Sequence, residues 1–490
     1  MTTELSHRMS AQDAAFFYFE RQTAPLHIGS LGVFEGEIPF DRFVEHIESR
    51  LPAIPRYRQR AAFVPLNWAH PTWEDDPDFD IRRHIYRVAL PSPGSQQQLI
   101  ELSARLFAPI LNREKPLWEM YVIYGLEGGR TGILSKVHHC LVDGVSGIQL
   151  LMAVLDLSAQ PAPPPEPAPW IPKPLPDAGA RMLGAVWERL EEQRRAAQEL
   201  AQGMFDPQAN LRRAQDTMRA ISATTPWMTR SAPRTPFAVT LGPERRAAFS
   251  EVSFVEIREI RTTLGGTVND VVLAILAGAL RRYFLAHGHQ VDGVDLRVGV
   301  PVNVRLEEEQ GALGNRVSLM LASLPLGEAD PVRRLERIKE RVESLKQTNQ
   351  AADFELLSRL ASSEPAPLHA MAGFMTTTNT MLNLICTNVP GPMIPLYSLG
   401  HLMLDHYPLV PLSMGMGLGA GVTSYNQRLY FGLMSDPKAV PDIDVLKQFV
   451  DESFLELRAA AGVSVTDLPE LRFSNGHGAP VEHAGASKKS

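Results

Sequence analysis

Val137-His138-His139-Cys140-Leu141-Val142-Asp143-Gly144 decides how the rest of this chain is read. Two adjacent histidines are followed, four residues after the second, by a carboxylate and then a glycine. The approach from Gly132 to Val137 is apolar and β-branched enough for a strand. The exit from Val145 to Leu155 places Ile148, Leu151, Met152 and Leu155 on one helical face. The histidine pair therefore belongs at a strand-to-helix turn. Neighbouring side chains of a strand point to opposite faces, so one histidine can face a cavity while the other faces the supporting layer. Such a turn presents one imidazole as a base.

A histidine near its working pKa can take a proton from an alcohol or amine and return it to a leaving group. Other chemistries fit the segment less well. Gly144-Val-Ser-Gly-Ile148 does not match the G-x-S-x-G nucleophile elbow. Cys140 lies beside the histidines, but diverging strand side chains make it a poor Cys–His dyad. A metal would have His138, His139 and Asp143 as ligands; adjacent strand histidines do not converge on one ion, so no metal is expected. Asp143 has two readings. It could orient the imidazole as in a triad, or point away toward a buried cation, which a buried carboxylate needs. Arg305, ending the apolar strand Leu296 to Arg305, is the candidate partner. The plain alternative is a chance His-His pair in a buried turn.

The bulk properties set limits. A chain of 490 residues is too long for one ordinary core, so two subdomains are expected. Hydrophobic content of 44% and charged content of 21% are those of a globular protein. A formal charge of −7 and the lack of a basic stripe argue against nucleic-acid binding. Cys140 and Cys386 are the only cysteines, so a disulfide framework is ruled out and a reducing, cytoplasmic setting is expected. The first residues lack the basic region and apolar run of a signal peptide. No run of 18 apolar residues occurs, and Val271 to Leu280 reads as a buried helix. Any membrane contact is expected to be peripheral.

Along the chain, Tyr121–Tyr124 and Gly132–His138 read as a hairpin around Glu127-Gly-Gly-Arg130. The segment Pro161 to Pro176 is a stiff, Pro-rich linker and the strongest boundary. Ala178 to Gly203 is a helix of balanced charge, read as a solvated amphipathic helix or as one that leans on a membrane. In the second half, Phe249–Ile257 reads as a strand and Ile257–Leu264 as a short helix ending at Gly265-Gly266. Thr267-Val-Asn-Asp270 then caps the apolar helix Val271–Phe284. Leu296–Arg305, Asn383–Pro392 and Leu429–Met434 read as strands, and Pro331–Thr348 as a charged helix. Met414-Gly-Met-Gly-Leu-Gly-Ala-Gly-Val422 interleaves glycine with apolar residues, which permits close backbone or ligand approach. These boundaries divide the chain into residues 1–158, a linker and helix at 159–225, a second subdomain at 226–472, and a polar tail at 473–490.

The ordered set of motifs resembles one family. His138-His139…Asp143-Gly144 is similar to the HHxxxDG motif of the CoA-dependent acyltransferase superfamily. Asp13…Phe17…Glu20 with Leu26-His27-Ile28-Gly29, Pro116-Leu117-Trp118, Asn269-Asp270, Val300-Pro-Val-Asn-Val-Arg305 and Thr387-Asn-Val-Pro-Gly-Pro392 resemble segments of the bacterial wax ester synthase/diacylglycerol acyltransferase family. A DFGWG-like element, present in plant relatives, is not obvious beyond Gly391. The resemblance implies an α/β (α+β) fold of two chloramphenicol-acetyltransferase-like subdomains, each a mixed sheet flanked by helices, with a channel between them. It implies an O-acyltransferase that moves a long-chain acyl group from acyl-CoA to a fatty alcohol or diacylglycerol. His139 is implied as general base and His138 as a brace, with Asp143, Gly144 and Arg305 structural at the site. Asn269, Asp270, Asn388 and Trp118 are candidate substrate contacts. Asn269, Asn388 and backbone N–H groups near Gly391 are candidate oxyanion donors. No cofactor is implied, since acyl-CoA is a co-substrate, and a peripheral membrane or lipid-droplet surface is the expected partner. Two other functions remain open: a condensation-type or polyketide-associated acyltransferase acting on a non-lipid alcohol or amine, and a non-catalytic lipid-droplet surface protein.

Overall fold

A computed structural model describes residues 8–141, 150–161, 170–204, 208, 211–212, 215–222, 231–303, 317–347, 381–413 and 415–466. In the first half, α1 (Ala11–Phe19) leads into β1 (His27–Phe34) and α2 (Phe40–Arg50). A short hairpin, β2 (Gln59–Ala62) and β3 (Thr72–Asp75), precedes β4 (Ile85–Ala89), α3 (Gln96–Phe107), β5 (Trp118–Leu126) and β6 (Arg130–His138). The long helix α4 (Ala178–Met204) follows. The second half begins with β7 (Arg246–Ser253), α5 (Phe254–Leu264) and α6 (Val268–Ala286). It continues through β8 (Asp295–Asn303), β9 (Val317–Pro325), α7 (Pro331–Gln347) and β10 (Leu384–Val389). It ends with β11 (Tyr397–Ser398), β12 (His401–Leu409), β13 (Leu418–Tyr425), β14 (Arg428–Ser435) and α8 (Ile443–Ala460).

Two six-stranded sheets carry the fold, ordered β11-β12-β1-β6-β5-β4 and β7-β14-β13-β10-β8-β9. Both are mixed: β4 runs parallel to β5, β10 runs parallel to β8 and β13, and the remaining neighbours are antiparallel. The two mixed sheets with flanking helices are the α/β architecture expected.

The sheets are not divided where the sequence is. Strands β11 and β12 come from the second half, yet β12 adds to the first sheet beside β1, with Gly29 opposite Leu409 and Gly32 opposite His406. The interleaved glycines explain how it gets there. A Cβ on Gly432 would lie 1.9 Å from the Pro408 carbonyl oxygen, and one on Gly421 would lie 2.7 Å from Val410 Cγ1. Strands β13 and β14 are therefore bare where the crossing strand passes over them, so these glycines serve backbone approach.

In the second half, α6 is the core helix. Val271 to Ala277 are essentially inaccessible, and the helix packs between α7 and α8. It starts three residues earlier than its apolar run suggests. Thr267 is its N-cap, and Asp270 closes a capping box with it. Helix α5 likewise starts at Phe254, capped by the Ser253 hydroxyl, which cuts short the strand expected to reach Ile257. The axes of α5 and α6 differ by 100° across Gly265-Gly266. Among the described residues no single helix is long and apolar enough to cross a membrane.

Candidate active site

Strand β6 ends at His138, and His139 already begins the turn. The His138 N–H donates to the Leu117 carbonyl at 2.9 Å, and the His139 N–H donates to the Leu26 carbonyl at 3.0 Å. The residues entering β5 and β1 thus hold the pair from both sides. His138 is fully buried and His139 is half-buried. Because His139 has left the strand, both rings lie against the same helix. Phe16 and Phe17 of α1 stack on them one for one. Phe16 lies on His139 with ring centroids 4.1 Å apart and planes 9° from parallel. Phe17 lies on His138 at 4.6 Å and 19°.

The tautomer of His138 follows from its partners. Its Nδ1 receives the backbone N–H of Cys140 at 3.2 Å, and the Cys140 Sγ sits 2.9 Å from the same nitrogen. A backbone N–H can only donate, so Nδ1 is unprotonated and the ring proton is on Nε2. Nε2 in turn stands 3.4 Å from Glu20 Oε1. Divergence was expected to keep Cys140 away from the histidines; the turn after β6 instead brings its sulfur onto His138. The contact does not make a nucleophile, because burial raises the Cys140 thiol well above its usual range.

Glu20 follows α1 directly and is buried. Oε1 accepts the Leu26 N–H at 3.0 Å, and Oε2 accepts two Arg113 N–H groups at 3.3 and 2.9 Å. Burial alone would raise this carboxyl. His138, the Leu26 N–H and Arg113 outweigh it and hold the group at about 2. Arg113 also donates to the Phe17 carbonyl at 3.1 Å and lies 5.2 Å over the Phe17 ring. Behind this layer, His27 stands opposite His138 in the β1–β6 register and donates through Nε2 to the Phe107 carbonyl at 2.5 Å. The Lys136 ammonium caps the end of α3 through the Leu106 and Pro109 carbonyls and is 3.9 Å from Glu119. Burial lowers Lys136 to about 8 and carries His27 well below its ordinary value.

The other sequence-derived candidates are scattered or committed elsewhere. Asp143, Gly144 and Arg305 lie outside the described residues. Asn269 and Asn388 come together: the Asn388 amide donates to Asn269 Oδ1 at 3.4 Å, linking the first turn of α6 to the end of β10. Asn269 is therefore not a cap, a role taken by Thr267. Asp270 spends Oδ2 on the Thr267 N–H and hydroxyl, each at 2.8 Å, which makes it a capping residue. Trp118 is also reassigned, to the core. Its indole is buried, stacks between Tyr57 and His84 with both centroids 4.6 Å away, and donates to the Tyr57 carbonyl at 2.8 Å. The Gly391 N–H donates to Ser424 Oγ at 3.0 Å and is not free for an oxyanion. Local spacing did not reveal the roles of Phe16, Arg113 and the Cys140 sulfur, because each depends on segments brought together by the fold.

Comparison with known proteins accounts for nearly the whole chain. Residues 9–272 match the wax ester synthase/diacylglycerol acyltransferase catalytic domain, and residues 313–458 match the corresponding C-terminal domain. A Mycobacterium tuberculosis protein named as a diacylglycerol O-acyltransferase is 31% identical over 466 residues, covering 92% of this chain and 96% of the relative. Another from the same organism, named likewise, is 33% identical over 470 residues, covering 93% and 99%. Among solved structures, the wax ester synthase/diacylglycerol acyltransferase of Marinobacter aquaeolei VT8 aligns with a TM-score of 0.64 at 24% identity, covering 93% of this chain and 100% of that one. The first condensation domain of the CDA synthetase aligns with a TM-score of 0.58 at 16% identity, covering 96% and 100%. At these identities the two structures establish the shared fold alone.

Proposed function

The chain belongs to the wax ester synthase/diacylglycerol acyltransferase family and is an acyltransferase of neutral-lipid synthesis, and on that premise we propose that it moves a long-chain acyl group from acyl-CoA to a fatty alcohol or diacylglycerol with His139 as general base. The observation that carries the assignment of the base is the asymmetry of the pair. His138 is fully buried, its Nδ1 accepts the Cys140 N–H, and its Nε2 stands 3.4 Å from Glu20 Oε1. His139 is the half-buried one of the two.

In this reading His139 takes the proton of the acceptor hydroxyl as the oxygen attacks the thioester carbonyl. A C–O bond forms and the carbonyl becomes an oxyanion, which needs donors aimed at it. The Asn269–Asn388 pair is the candidate source. Collapse breaks the C–S bond, and the departing CoA thiolate recovers the proton from His139. This course of steps needs no acyl-enzyme, metal or cofactor.

The acceptors and products of such a reaction are lipids, and we place the enzyme at the cytoplasmic face of a membrane or lipid inclusion. Helix α4 supports this. Its inner side is fastened to the β2–β3 hairpin, where Arg181 donates to both oxygens of Glu74 at 2.7 Å and Ala185 is buried. Its outer side bears Leu183, Val186, Trp187 and Leu190, with Trp187 71% exposed. A helix with such a face lies in a lipid interface through its apolar side chains. The net negative charge of the chain fits hydrophobic attachment better than electrostatic attachment.

The test is CoA release from palmitoyl-CoA, with hexadecanol and diacylglycerol supplied in competition and the products identified. His139→Ala is expected to lower the rate by about 10²–10⁴-fold. An unchanged rate would refute the base. Transfer to small amines but to neither lipid acceptor would favour the condensation-type alternative.

A further inference from the structure

We infer that Phe16 is a positioning residue for the base: its ring, lying flat on the His139 imidazole, sets the plane of that ring and stabilises the imidazolium formed when the acceptor hydroxyl gives up its proton. The inference rests on His139 being the base. It adds a partner that neither the histidine motif nor the acyl-transfer chemistry identifies.

The geometry is specific. The centroid separation of 4.1 Å and the 9° tilt put the π-face of Phe16 against the imidazole face, leaving the in-plane directions of the ring nitrogens uncovered by Phe16. An edge-on phenyl would obstruct a nitrogen; this one does not. The negative face of an aromatic ring attracts a cation held over it. The attraction is small while His139 is neutral and grows when it is charged, so it favours the proton-transfer step over the resting state. Phe16 is itself held, since α1 is capped at its start by Ser10 and bolted at its end by Glu20 to Leu26 and Arg113.

Burial under Phe16 works in the opposite direction, because it removes water from the imidazolium and lowers the pKa. The two effects separate on substitution. Leucine covers the ring about as well as phenylalanine but has no π-face, so Phe16→Leu removes the attraction and keeps most of the desolvation. The charged and titratable groups around the pair are unchanged by it: Asp13 and Glu20 on the α1 side, Arg56 ahead of β2, Arg113 after α3, and Lys136 and His27 behind.

The experiment is the pH dependence of kcat and of kcat/KM for full-length wild type, Phe16→Leu, Phe16→Tyr and His139→Ala, with melting temperatures recorded for each. A general base must be neutral to act, so activity rises with pH through its pKa. The expected result is that Phe16→Leu moves this acid limb down by about half a pH unit and lowers kcat roughly three- to tenfold. KM is expected to stay unchanged. Phe16→Tyr, which keeps the π-face, should restore both. If Phe16→Leu loses rate while the limb stays in place, or if Phe16→Tyr fails to restore a folded protein's limb, Phe16 is packing only and the inference is overturned. If His139→Ala retains the rate, the base assignment and the inference fall together. An inactive His139→Ala with an unmoved limb in Phe16→Leu overturns this inference alone.

Discussion

Glu20 Oε1 stands 3.4 Å from Nε2 of His138, and both side chains are buried. These residues are far apart in the chain, one just after α1 and the other at the end of β6. Their contact ties the N-terminal helix to the histidine pair. It also faces the one protonated nitrogen of His138 with a carboxylate, which keeps that ring in a single tautomer.

Glu20 should dominate acid sensitivity near the site. Its folded-state pKa of about 2 lies below its ordinary 4.5. A depressed carboxylate contributes stability above the unfolded pKa and loses it as pH falls through the folded one. The contribution, about 3 kcal/mol at neutral pH, is therefore expected to vanish between pH 4.5 and 2. Urea unfolding of Glu20→Gln across this window should give a visibly flatter dependence than wild type. Parallel curves for the two proteins would show that Glu20 is not held as described.

The two thiols should be inert in the folded protein. Cys140 and Cys386 are both buried, and burial raises Cys386 to about 12. A thiolate-selective reagent at pH 8 is expected to label neither until denaturant is added. Prompt labelling of Cys140 in the native state would show that its contact with His138 opens readily.

The Asn269–Asn388 contact can be weighed by a double-mutant cycle. If the 3.4 Å bond is made, the two alanine substitutions should be non-additive in stability by about 0.5–1.5 kcal/mol. If the pair also serves the oxyanion, each single change should lower kcat by about 10²-fold with little change in KM. Additive stability effects together with wild-type kcat would remove both roles.

Two glycines should respond in opposite ways to alanine. At Gly432 the new methyl would meet the Pro408 carbonyl oxygen at 1.9 Å, where backbone must move, so a loss of about 1–3 kcal/mol or more is expected. At Gly184, inside α4, nothing lies within 4 Å, and Gly184→Ala should stabilise by about 0.5–1 kcal/mol. Thermal melts of both variants read the contrast directly.

Local order along the chain is legible where residues speak for themselves. The hairpin β5–β6 follows from its alternation and its Gly-Gly turn, and α6 and α7 from apolar periodicity and length. Element ends move by a few residues where a hydroxyl cap, Ser253 at α5 or Thr267 at α6, outcompetes the apolar pattern. Helix α8 is equally legible, because Ile443, Leu446, Val450, Phe454 and Leu457 follow helical spacing, whereas strand β12 and helix α1 carry a weaker local signal.

The sequence by itself determined the chemistry offered: a His-His pair at a strand end, the motif order of one acyltransferase family, and only two cysteines. The expectation of two mixed sheets came through the family resemblance those motifs carry, since local periodicity and turn residues act over a few positions and fix single elements only. Only the tertiary structure decided which histidine is locked and by what. Phe17, Glu20 and Cys140 reach His138 from α1 and from the turn beyond β6, and Phe16 reaches His139 from α1. Only the tertiary structure carried β12 across into the first sheet, over glycines whose purpose is invisible until Pro408 lies against them. The reason is physical. Burial and contact between residues distant in the chain are set by how whole elements pack, and no spacing along the chain encodes that distance.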